Sequence, residues 1–367
     1  MPSIESLLRS MSSSLGAMLK YQTTRTSLRI IMDVVDRGEG PLLAWHDPDE
    51  QRKWIQQNKP RRMTDKRMDI TTSISRFVSD GAYIASGGFG HVRVSMAAVY
   101  EIIRQKKRRL TLAGKTAVHD CDLLVGSGCV DRVEVAYSFG HELRGLSPAS
   151  RRMVESGRVT AVTEISNAGI QWRIRAAAMG LPFIPARVML GTETFKKSAG
   201  VVVRDPFGGK KIALLPACYP DVAMIHVHRC DMYGNAQIDG ITVMDVELAR
   251  AARRLIITTE KIIDHEVIRN ESWKTNIPFF CVDAVVEVPY GSHPGNMPLL
   301  YYSDEEHIAE WLRLSKTEEG TSQYFDKYVY GVNDFSAYLE LIGGTAKLKK
   351  LEDIEHLRAP TQAPWAE

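Results

Sequence analysis

The 367-residue chain lacks long hydrophobic segments and carries little net charge. It has no run of about 18 apolar residues, so we expect no transmembrane helix and no membrane partner. The N-terminus has no continuous apolar stretch of the kind that a secretory signal needs, which favours a cytoplasmic protein. The formal net charge is +3, and the basic runs at 104–109 and 347–350 are short, so we expect no nucleic-acid partner.

Cysteine is scarce and scattered. The five cysteines are Cys121, Cys129, Cys218, Cys230 and Cys281, and no two of them form a Cys-x-x-Cys pair. An odd, unclustered set predicts reduced thiols in a cytoplasm-like compartment and not a disulfide framework.

Two common nucleotide-binding motifs are also missing. A dinucleotide fingerprint that starts at Gly88 needs a third glycine at position 93, where the chain has Arg93. The nearest match to a P-loop, at 113–116, lacks its first glycine because Arg109 occupies that place. We therefore predict no bound cofactor.

What the chain does contain is a strand, a glycine loop and a helix in succession. Asp80 and Gly81 form a turn, an apolar run follows at 82–85, and Ser-Gly-Gly-Phe-Gly at 86–90 precedes apolar residues at helical spacing over 94–103. Glycines let a ligand approach the main chain and adopt positive φ without strain. Because open α/β sheets bind ligands at the carboxyl ends of their strands, we predict a binding site at this loop.

Around this loop, short apolar runs alternate with helical patterns, which is typical of an α/β fold. We predict an open, mostly parallel sheet with helices on both faces over residues 62–302. A helical N-terminal extension over 1–61 precedes it, with helical patterns at 4–19 and 28–35. A helical C-terminal segment and tail follow over 303–367.

Several strands are predicted within the sheet. They include Leu110–Leu112, Leu123–Val125 and Asp221–Cys230. The Leu123–Val125 run leads into a second glycine turn, Gly126–Cys129, which we expect at the same edge as the first loop. Two prolines in Leu181–Arg187 favour an extended segment along a sheet edge.

The first glycine loop resembles a signature of the class I coenzyme A transferases. The signature has Asp-Gly, two spacers, three apolar or small residues and Gly-Gly-Phe, which here occupy 80–89. It usually closes with Gly-x-Pro, but this chain has Arg-Val-Ser at 93–95, which favours the glutaconate CoA-transferase A-subunit branch. Blocks at 122–137, 159–187 and 289–294 are similar to the same branch, and the resemblance implies the CoA-transferase or NagB-RpiA-like form of the α/β fold.

The resemblance also implies an acyl-CoA pocket. Its expected members are Ser86, Gly87, Gly88, Phe89, Gly90, Arg93, Ser127, Gly128, Cys129, Asn167 and His293. We expect loop N–H groups to stabilise an oxyanion or orient the acceptor carboxylate. Arg93 is a candidate for a remote substrate carboxylate, with a surface salt bridge as the equal alternative. Asn167 is equally expected as a helix N-cap, and a loop histidine such as His293 is often simply solvated.

The family's chemistry implies a coenzyme A thioester as substrate and a partner chain. In the family, the nucleophilic glutamate lies in a Ser-Glu-Asn-Gly-like motif of the B half, and this chain has no such tetrapeptide. We therefore expect no certain catalytic residue here and a beta-type subunit that supplies the glutamate, in an α2β2 heterotetramer. One alternative is a related hydrolase that cleaves a carbon–carbon bond in a cyclic keto acyl-CoA, with Glu164 as the acid or base. Another is a scaffold subunit without activity.

A metal site is the sharpest competing hypothesis for one strand. His226, His228 and Cys230 stand at alternate positions of a predicted strand, so their side chains share a face and offer zinc ligands. A buried strand without metal is the alternative, and the resembling families use no metal. We therefore predict no metal site.

Overall fold

A computed structural model describes residues 33–60 and 62–361 of the chain. The predicted helical pattern at 4–19 and most of the one at 28–35 lie outside these residues. Within the described part of the chain, no helix is long and apolar enough to span a bilayer.

The strands are short and spread along the chain. They are β1 Val34–Arg37, β2 Tyr83–Ser86, β3 Leu110–Lys115, β4 Val130–Ala136, β5 Ala161–Glu164, β6 Phe183–Ala186, β7 Val201–Arg204, β8 Lys211–Pro216, β9 Val222–Cys230, β10 Ala236–Gln237, β11 Arg254–Ile262, β12 Thr275–Ile277 and β13 Ala284–Glu287.

Helices connect most of these strands and fill the C-terminal part. They are α1 Pro48–Asn58, α2 Ile70–Phe77, α3 Met96–Arg104, α4 His119–Gly126, α5 Pro148–Glu155, α6 Asn167–Ala178, α7 Glu193–Lys196, α8 Asp245–Ala251, α9 His265–Asn270, α10 Glu305–Leu314, α11 Glu318–Phe325, α12 Phe335–Leu341 and α13 Gly344–Glu355.

The larger sheet is mostly parallel and has β2 near its middle. From β2 the parallel strands run through β3 and β4 to β5 on one side, and through β9 and β11 to β13 on the other. Among its described strands, only the pairs β9–β10 and β10–β12 are antiparallel. The predicted open, mostly parallel α/β sheet is confirmed.

Two hydrophobic cores cover the two faces of this sheet. Ile84 of β2 lies in a core with residues of α3 and α4, whereas its neighbours Tyr83 and Ala85 lie in a second core with residues of α6 and α8. Successive side chains of a strand point to opposite faces, so a strand buried on both sides is apolar throughout. This explains why the run at 82–85 shows no polar alternation.

A second, antiparallel sheet packs on one of these cores. Its strand order is β1, β7, β8, β6. The sequence prediction of an extended edge segment at 181–187 is confirmed by β6, although the edge belongs to this second sheet. Val34 and Val35 lie in β1, so the predicted helix over 28–35 is wrong at its end, because the segment pairs with β7 through Val34, Asp36 and Arg37, and β-branched valines suit a strand.

The second predicted strand with a glycine turn is also wrong. Leu123–Val125 lies in α4, and its three apolar residues are buried in the core as a helix, not as a strand. The helix packs tightly here, since a Cβ on Gly126 would lie 3.0 Å from the Cβ of Ala149. A run of three apolar residues is too short to distinguish a strand from a buried helix.

Three of the four C-terminal helices, α10 to α12, belong to the first core, whereas Leu351 and Ile354 of α13 pack with Met297 and Tyr301 in a smaller, third cluster. Trp311, Tyr324 and Tyr338 are buried in the same cluster as Ile84 of β2. The segment therefore packs against a face of the parallel sheet. The domain boundaries at 61 and 303 stay a prediction.

Candidate active site

The glycine loop lies where the strand order of the sheet reverses. The strands β3, β4 and β5 extend the sheet on one side of β2. The strands β9, β11 and β13 extend it on the other side. A crevice opens at the carboxyl ends of two such neighbouring strands, and open α/β sheets bind their ligands there. The loop leaves β2 at Ser86 and therefore borders this crevice.

The main-chain N–H groups of the loop are all engaged in hydrogen bonds, either within the loop segment or to neighbouring segments. Each N–H group of residues 87–90 donates a hydrogen bond within the chain, at 2.7–3.1 Å. The acceptors, in order, are Met224 O, Asp245 Oδ1, Val92 O and Thr116 O. The expected role of these N–H groups as oxyanion donors therefore stays a prediction, and it requires one of these bonds to open.

Gly88 is the position that only glycine can occupy. Its φ is +71°, and a Cβ there would lie 2.2 Å from the carbonyl oxygen of Val92. Real Cβ atoms do not approach a backbone oxygen so closely, so any side chain would push the loop open.

The buried ion pair between Arg93 and Asp245 anchors the glycine loop to α8. The Asp245 carboxylate, at the start of α8, accepts from the Gly88 N–H at 2.8 Å and from Arg93 Nη1 at 2.7 Å. Arg93 also donates to the Ile241 carbonyl at 2.7 Å, and both charged side chains are at most 1% exposed. Burial raises the pKa of Asp245, and the Arg93 charge opposes that rise.

This pairing changes the interpretation of Arg93. The residue has a φ of +54°, and its guanidinium is already paired with a carboxylate of its own chain. The predicted surface salt bridge is wrong, because the pair is buried. Its role toward a substrate carboxylate stays a prediction, whereas its contact with Asp245 makes it a positioning residue for the loop.

A second link joins the loop to the end of β5. Thr116, just after β3, accepts the Gly90 N–H with its carbonyl, and its hydroxyl donates to Asn167 Oδ1 at 3.2 Å. Asn167 is half-buried at the first turn of α6, and the N-cap of that helix is Ser166, whose hydroxyl accepts the Gly169 N–H. Asn167 therefore lies close to the glycine loop, and the N-cap of α6 is Ser166 and not Asn167.

Three polar residues near the loop were missed in the sequence. Lys115, the last residue of β3, places its Nζ 5.9 Å from the ring centre of Phe89, and burial lowers the pKa of Lys115. Glu142 is exposed, and its Oε1 lies 3.6 Å from where a Cβ on Gly90 would be. Asp120 is buried beside the Ser86 hydroxyl, and burial raises its pKa. The only feature of the sequence that could have predicted Lys115 as a site residue is its position at the carboxyl end of a strand.

His293 is placed differently from a solvated loop residue. Its imidazole is fully buried, with Nδ1 2.7 Å from the Tyr338 hydroxyl and Nε2 3.2 Å from Asp304 Oδ2. Its loop still touches the segment after the glycine loop, because the Arg93 N–H donates to the Asn296 carbonyl at 2.9 Å. The side chain holds the C-terminal helices, and a role in the pocket stays a prediction.

The second glycine turn lies at the wrong edge of the sheet. Ser127, Gly128 and Cys129 follow α4 and lead into the beginning of β4, so they lie at the amino end of the parallel strands. The Cys129 carbonyl accepts the N–H of Leu110, the first residue of β3. These three residues are not brought to the glycine loop, because the run before them is a helix.

Glu164, the candidate of the hydrolase hypothesis, is the last residue of β5. It lies at the carboxyl edge, paired in register with Val135 of β4. Two strands separate β5 from β2, which corresponds to roughly 14 Å between the main chains.

The residues of the zinc hypothesis have separate partners. His226 contacts Thr258 Oγ1 at 2.9 Å and Glu260 Oε1 at 2.7 Å. His228 Nε2 donates to the Pro298 carbonyl at 2.9 Å, and Cys230 is fully buried at the end of β9. β9 is thus a buried strand, which is the alternative expected for it.

A groove of 610 Å³ opens at the carboxyl end of β4. Its walls include Val135, Phe139 and Ile165, and its rim carries the exposed side chains of Tyr137 and Leu146. The groove therefore lies on the same edge as the glycine loop, on the side of β5.

Similarity to known proteins covers most of this architecture. Residues 67–288 match the Coenzyme A transferase family. The chain is 64% identical over 334 residues to an uncharacterized protein of Archaeoglobus fulgidus, across 91% of this chain and 75% of that one. It is 34% identical over 297 residues to the A-subunit of glutaconate CoA-transferase from Acidaminococcus fermentans, across 76% of this chain and 92% of that one.

A more distant relative carries a different activity. The cholesterol ring-cleaving hydrolase IpdA subunit of Mycobacterium tuberculosis is 28% identical over 294 residues, across 77% of this chain and 100% of that one. Among solved structures, the crystal structure of glutaconate coenzyme A-transferase from Acidaminococcus fermentans superposes with a TM-score of 0.75 at 32% identity, across 78% of this chain and 95% of that one. The chain therefore belongs to the coenzyme A transferase family and is similar to its glutaconate-type A-subunits.

Proposed function

We propose that this chain is the alpha subunit of a heteromeric CoA-transferase, which moves CoA between an acyl-CoA and a carboxylic acid. The observation that carries the proposal is the glycine loop at the strand-order reversal, braced by the buried Arg93–Asp245 pair. The name of the glutaconate-type relative, an A-subunit, supports a partner chain. So does the sequence, which lacks the Ser-Glu-Asn-Gly-like motif of the nucleophile.

The reaction proceeds in two half reactions with a glutamate of the beta subunit. Its carboxylate attacks the thioester carbonyl, the CoA thiolate leaves, and an acyl anhydride forms. The thiolate then attacks the glutamyl carbonyl, which releases the first acid and leaves a glutamyl-CoA thioester. The acceptor acid repeats these steps in reverse, so the kinetics are ping-pong.

Within this scheme the present chain forms one wall of the acyl pocket. Its loop is held by fixed hydrogen bonds, so that its shape is set before the substrate binds, and Phe89 is the half-buried side chain at its tip. Pre-set geometry lowers the barrier because orientation need not be acquired during the reaction. Lys115 is the cation beside this wall, and we assign it to a substrate carboxylate or a CoA phosphate.

The beta subunit is expected to cover the carboxyl edge of the sheet. The glycine loop lies at this edge, and so do the exposed Tyr137 and Leu146 beside the groove. Exposed aromatic and aliphatic side chains of this kind are common in protein interfaces. We extend the proposal to an α2β2 assembly.

Reconstitution with a beta-type partner tests this function. The chain alone is expected to be inactive, and the co-expressed complex is expected to exchange CoA with parallel double-reciprocal plots. Full activity of the chain alone, or intersecting plots that indicate a ternary complex, would contradict the proposal. The control is the complex with the beta-chain glutamate replaced by glutamine, which should be inactive although it assembles.

A second candidate function is cleavage of a carbon–carbon bond in a cyclic keto acyl-CoA. The relative that favours it is the ring-cleaving hydrolase subunit, and Glu164, the candidate acid or base, is the last residue of β5 at the carboxyl edge. Loss of ring opening in Glu164→Gln, with CoA exchange absent in the parent complex, would favour the hydrolase. Unchanged CoA exchange in the same variant would favour the transferase.

A further inference from the structure

Three buried histidines meet directly behind the glycine loop. His91 follows the loop, His119 begins α4 after β3, and His141 follows β4, so three separate carboxyl-edge segments contribute one residue each. Their side chains are 6%, 2% and 0% exposed. One ring nitrogen of each lies within 4.8 Å of those of the other two.

One of the three imidazoles is held by a carboxylate. Asp122 Oδ2 lies 3.2 Å from His141 Nε2 and accepts from Trp311 Nε1 at 2.6 Å, while its other oxygen accepts from the Ser150 hydroxyl at 2.6 Å. The carboxylate is thereby fixed, and it orients the ring so that His141 Nδ1 lies 3.2 Å from His91 Nε2. Metal-bound histidines typically donate their outer N–H to such a carboxylate.

His119 supplies the independent observation. Neither of its ring nitrogens has a hydrogen-bond partner among the described residues, although the residue is 2% exposed. Buried polar groups are nearly always satisfied, so an imidazole with two unpaired nitrogens calls for a missing ligand. Its ring contacts those of His91 and His141, with centroids 6.0 and 5.6 Å away, and packs edge-on to Trp311.

The electrostatics agree with this geometry. Burial lowers the pKa of His91 and His119 well below the usual value, and His141 lowers both further. The Arg144 charge also lowers the pKa of His91. Neutral imidazole is the form that binds metals. Three neutral imidazoles in a site without thiolates suit zinc and the later first-row metals better than magnesium or calcium.

We propose that His91, His119 and His141 bind one divalent transition metal ion, with Zn²⁺ as the preferred occupant. His141 presents Nδ1 and keeps its Nε2–H on Asp122. His91 presents Nε2 and carries its proton on Nδ1, so the ring stays neutral and its weak 3.5 Å contact with Arg144 is given up. The fourth position of a tetrahedral site is left to a water molecule.

The ion would join the glycine loop to its two neighbours. His91 is the residue next to Gly90, and its carbonyl also accepts the Asn296 N–H at 2.8 Å. The metal would therefore hold three chain segments together and brace the wall of the pocket, without contact to the substrate. This inference does not depend on which acyl-CoA reaction the enzyme performs.

Metal analysis of the full-length chain tests the proposal. Protein expressed with added zinc is expected to carry one Zn²⁺ per chain, and chelator-treated protein is expected to bind one Co²⁺ with tetrahedral visible absorption. X-ray absorption at the zinc edge should show nitrogen or oxygen ligands at about 2.0 Å and no sulfur at about 2.3 Å. Thermal unfolding should shift to higher temperature with zinc, because the ion binds only the folded state.

Variants separate this site from adventitious binding. His119→Ala should weaken Zn²⁺ binding by more than about 100-fold, and Asp122→Asn by about 10-fold to 100-fold. The control is His228→Gln, a buried histidine outside the cluster, which should bind like the parent chain. The proposal is overturned if the parent chain binds no stoichiometric metal or if His119→Ala binds Zn²⁺ as tightly as the parent. It is also overturned if the X-ray absorption spectrum shows sulfur ligands. If a variant misfolds, the metal content and the X-ray absorption spectrum of the unaltered chain still test the proposal.

Discussion

Two glycine turns of this chain look alike in sequence but lie at opposite edges of the same sheet. The turn at 86–90 follows β2 and borders the crevice at the carboxyl edge, whereas the turn at 126–129 follows α4 and precedes β4 at the amino edge. The first is buried and bonded to distant residues; in the second, Gly128 is exposed, and a Cβ on it would meet nothing within 4 Å. The element before a glycine turn, and not the glycines, decides whether it borders the ligand crevice.

The largest expected effect is the loss of the anchor that only the first turn has. Asp245→Ala leaves the buried Arg93 charge unpaired and should lower the free energy of unfolding by about 3–5 kcal/mol. Chemical denaturation measures this value, and the double variant Arg93→Met with Asp245→Leu should lose less. A loss below about 1 kcal/mol in Asp245→Ala would show that the pair does not hold the loop.

Matched alanine substitutions in the two turns compare them directly. Gly88→Ala places a Cβ 2.2 Å from the Val92 carbonyl oxygen and should lower CoA-exchange activity of the complex by about 100-fold or more, because displacing the reacting groups by about 1 Å can have an effect of that size. Gly128→Ala adopts a φ of +76° in open space and should reduce stability by about 1 kcal/mol with activity unchanged. Equal loss of activity in both variants would refute the distinction between the edges.

Cations at the two ends of β3 provide a smaller test. Lys115, at the carboxyl end, should be needed for the acyl-CoA, so Lys115→Met should raise KM by about 10-fold with little change in stability. Arg109→Met, just before the amino end of the strand, is the control and should leave KM unchanged. Steady-state kinetics of both complexes decide the point.

The pH dependence sharpens the assignment of Lys115. Burial lowers the pKa of this amine, so it loses its charge at lower pH than an exposed lysine. KM should therefore rise with increasing pH in the parent complex and stay flat in Lys115→Arg, whose guanidinium remains charged. A parallel rise in both proteins would assign the titration to another group.

The smallest expected effect is in the amino-edge turn. Ser127 donates to the Leu124 carbonyl at 3.0 Å from a half-buried hydroxyl. Ser127→Ala should change the free energy of unfolding by less than about 1 kcal/mol and should leave CoA exchange unaffected. A marked loss of CoA exchange would contradict this account and would show that the turn contributes to the acyl-CoA pocket.

The sequence revealed what is local in this molecule. The strand, glycine loop and helix at 82–103 were predictable because turn chemistry and helical periodicity act within a few residues. Asp245, which holds the loop, is 152 residues from Arg93, and no spacing connects them. The antiparallel sheet was missed for the same reason, since β1 pairs with β7 across a long separation.

The remaining errors have physical causes as well. The Leu123–Val125 run is apolar because it is buried on all sides, and a buried helix turn and a buried strand look the same over three residues. His91, His119 and His141 follow no metal-binding spacing, because each comes from a different segment at the carboxyl edge of the sheet. His226, His228 and Cys230 have the alternating spacing of strand ligands, but the two histidines have separate hydrogen-bond partners and Cys230 is buried in the core.

The most direct test of the account is to trap the covalent intermediate in the co-expressed complex. The complex is incubated with an acyl-CoA and borohydride, which reduces a glutamyl-CoA thioester to an alcohol, and both chains are then analysed by mass spectrometry. The account predicts a reduced glutamate on the beta chain, whereas the chain described by this structure stays unmodified. A reduced glutamate on this chain, or no trapped residue in a complex that exchanges CoA, would contradict it.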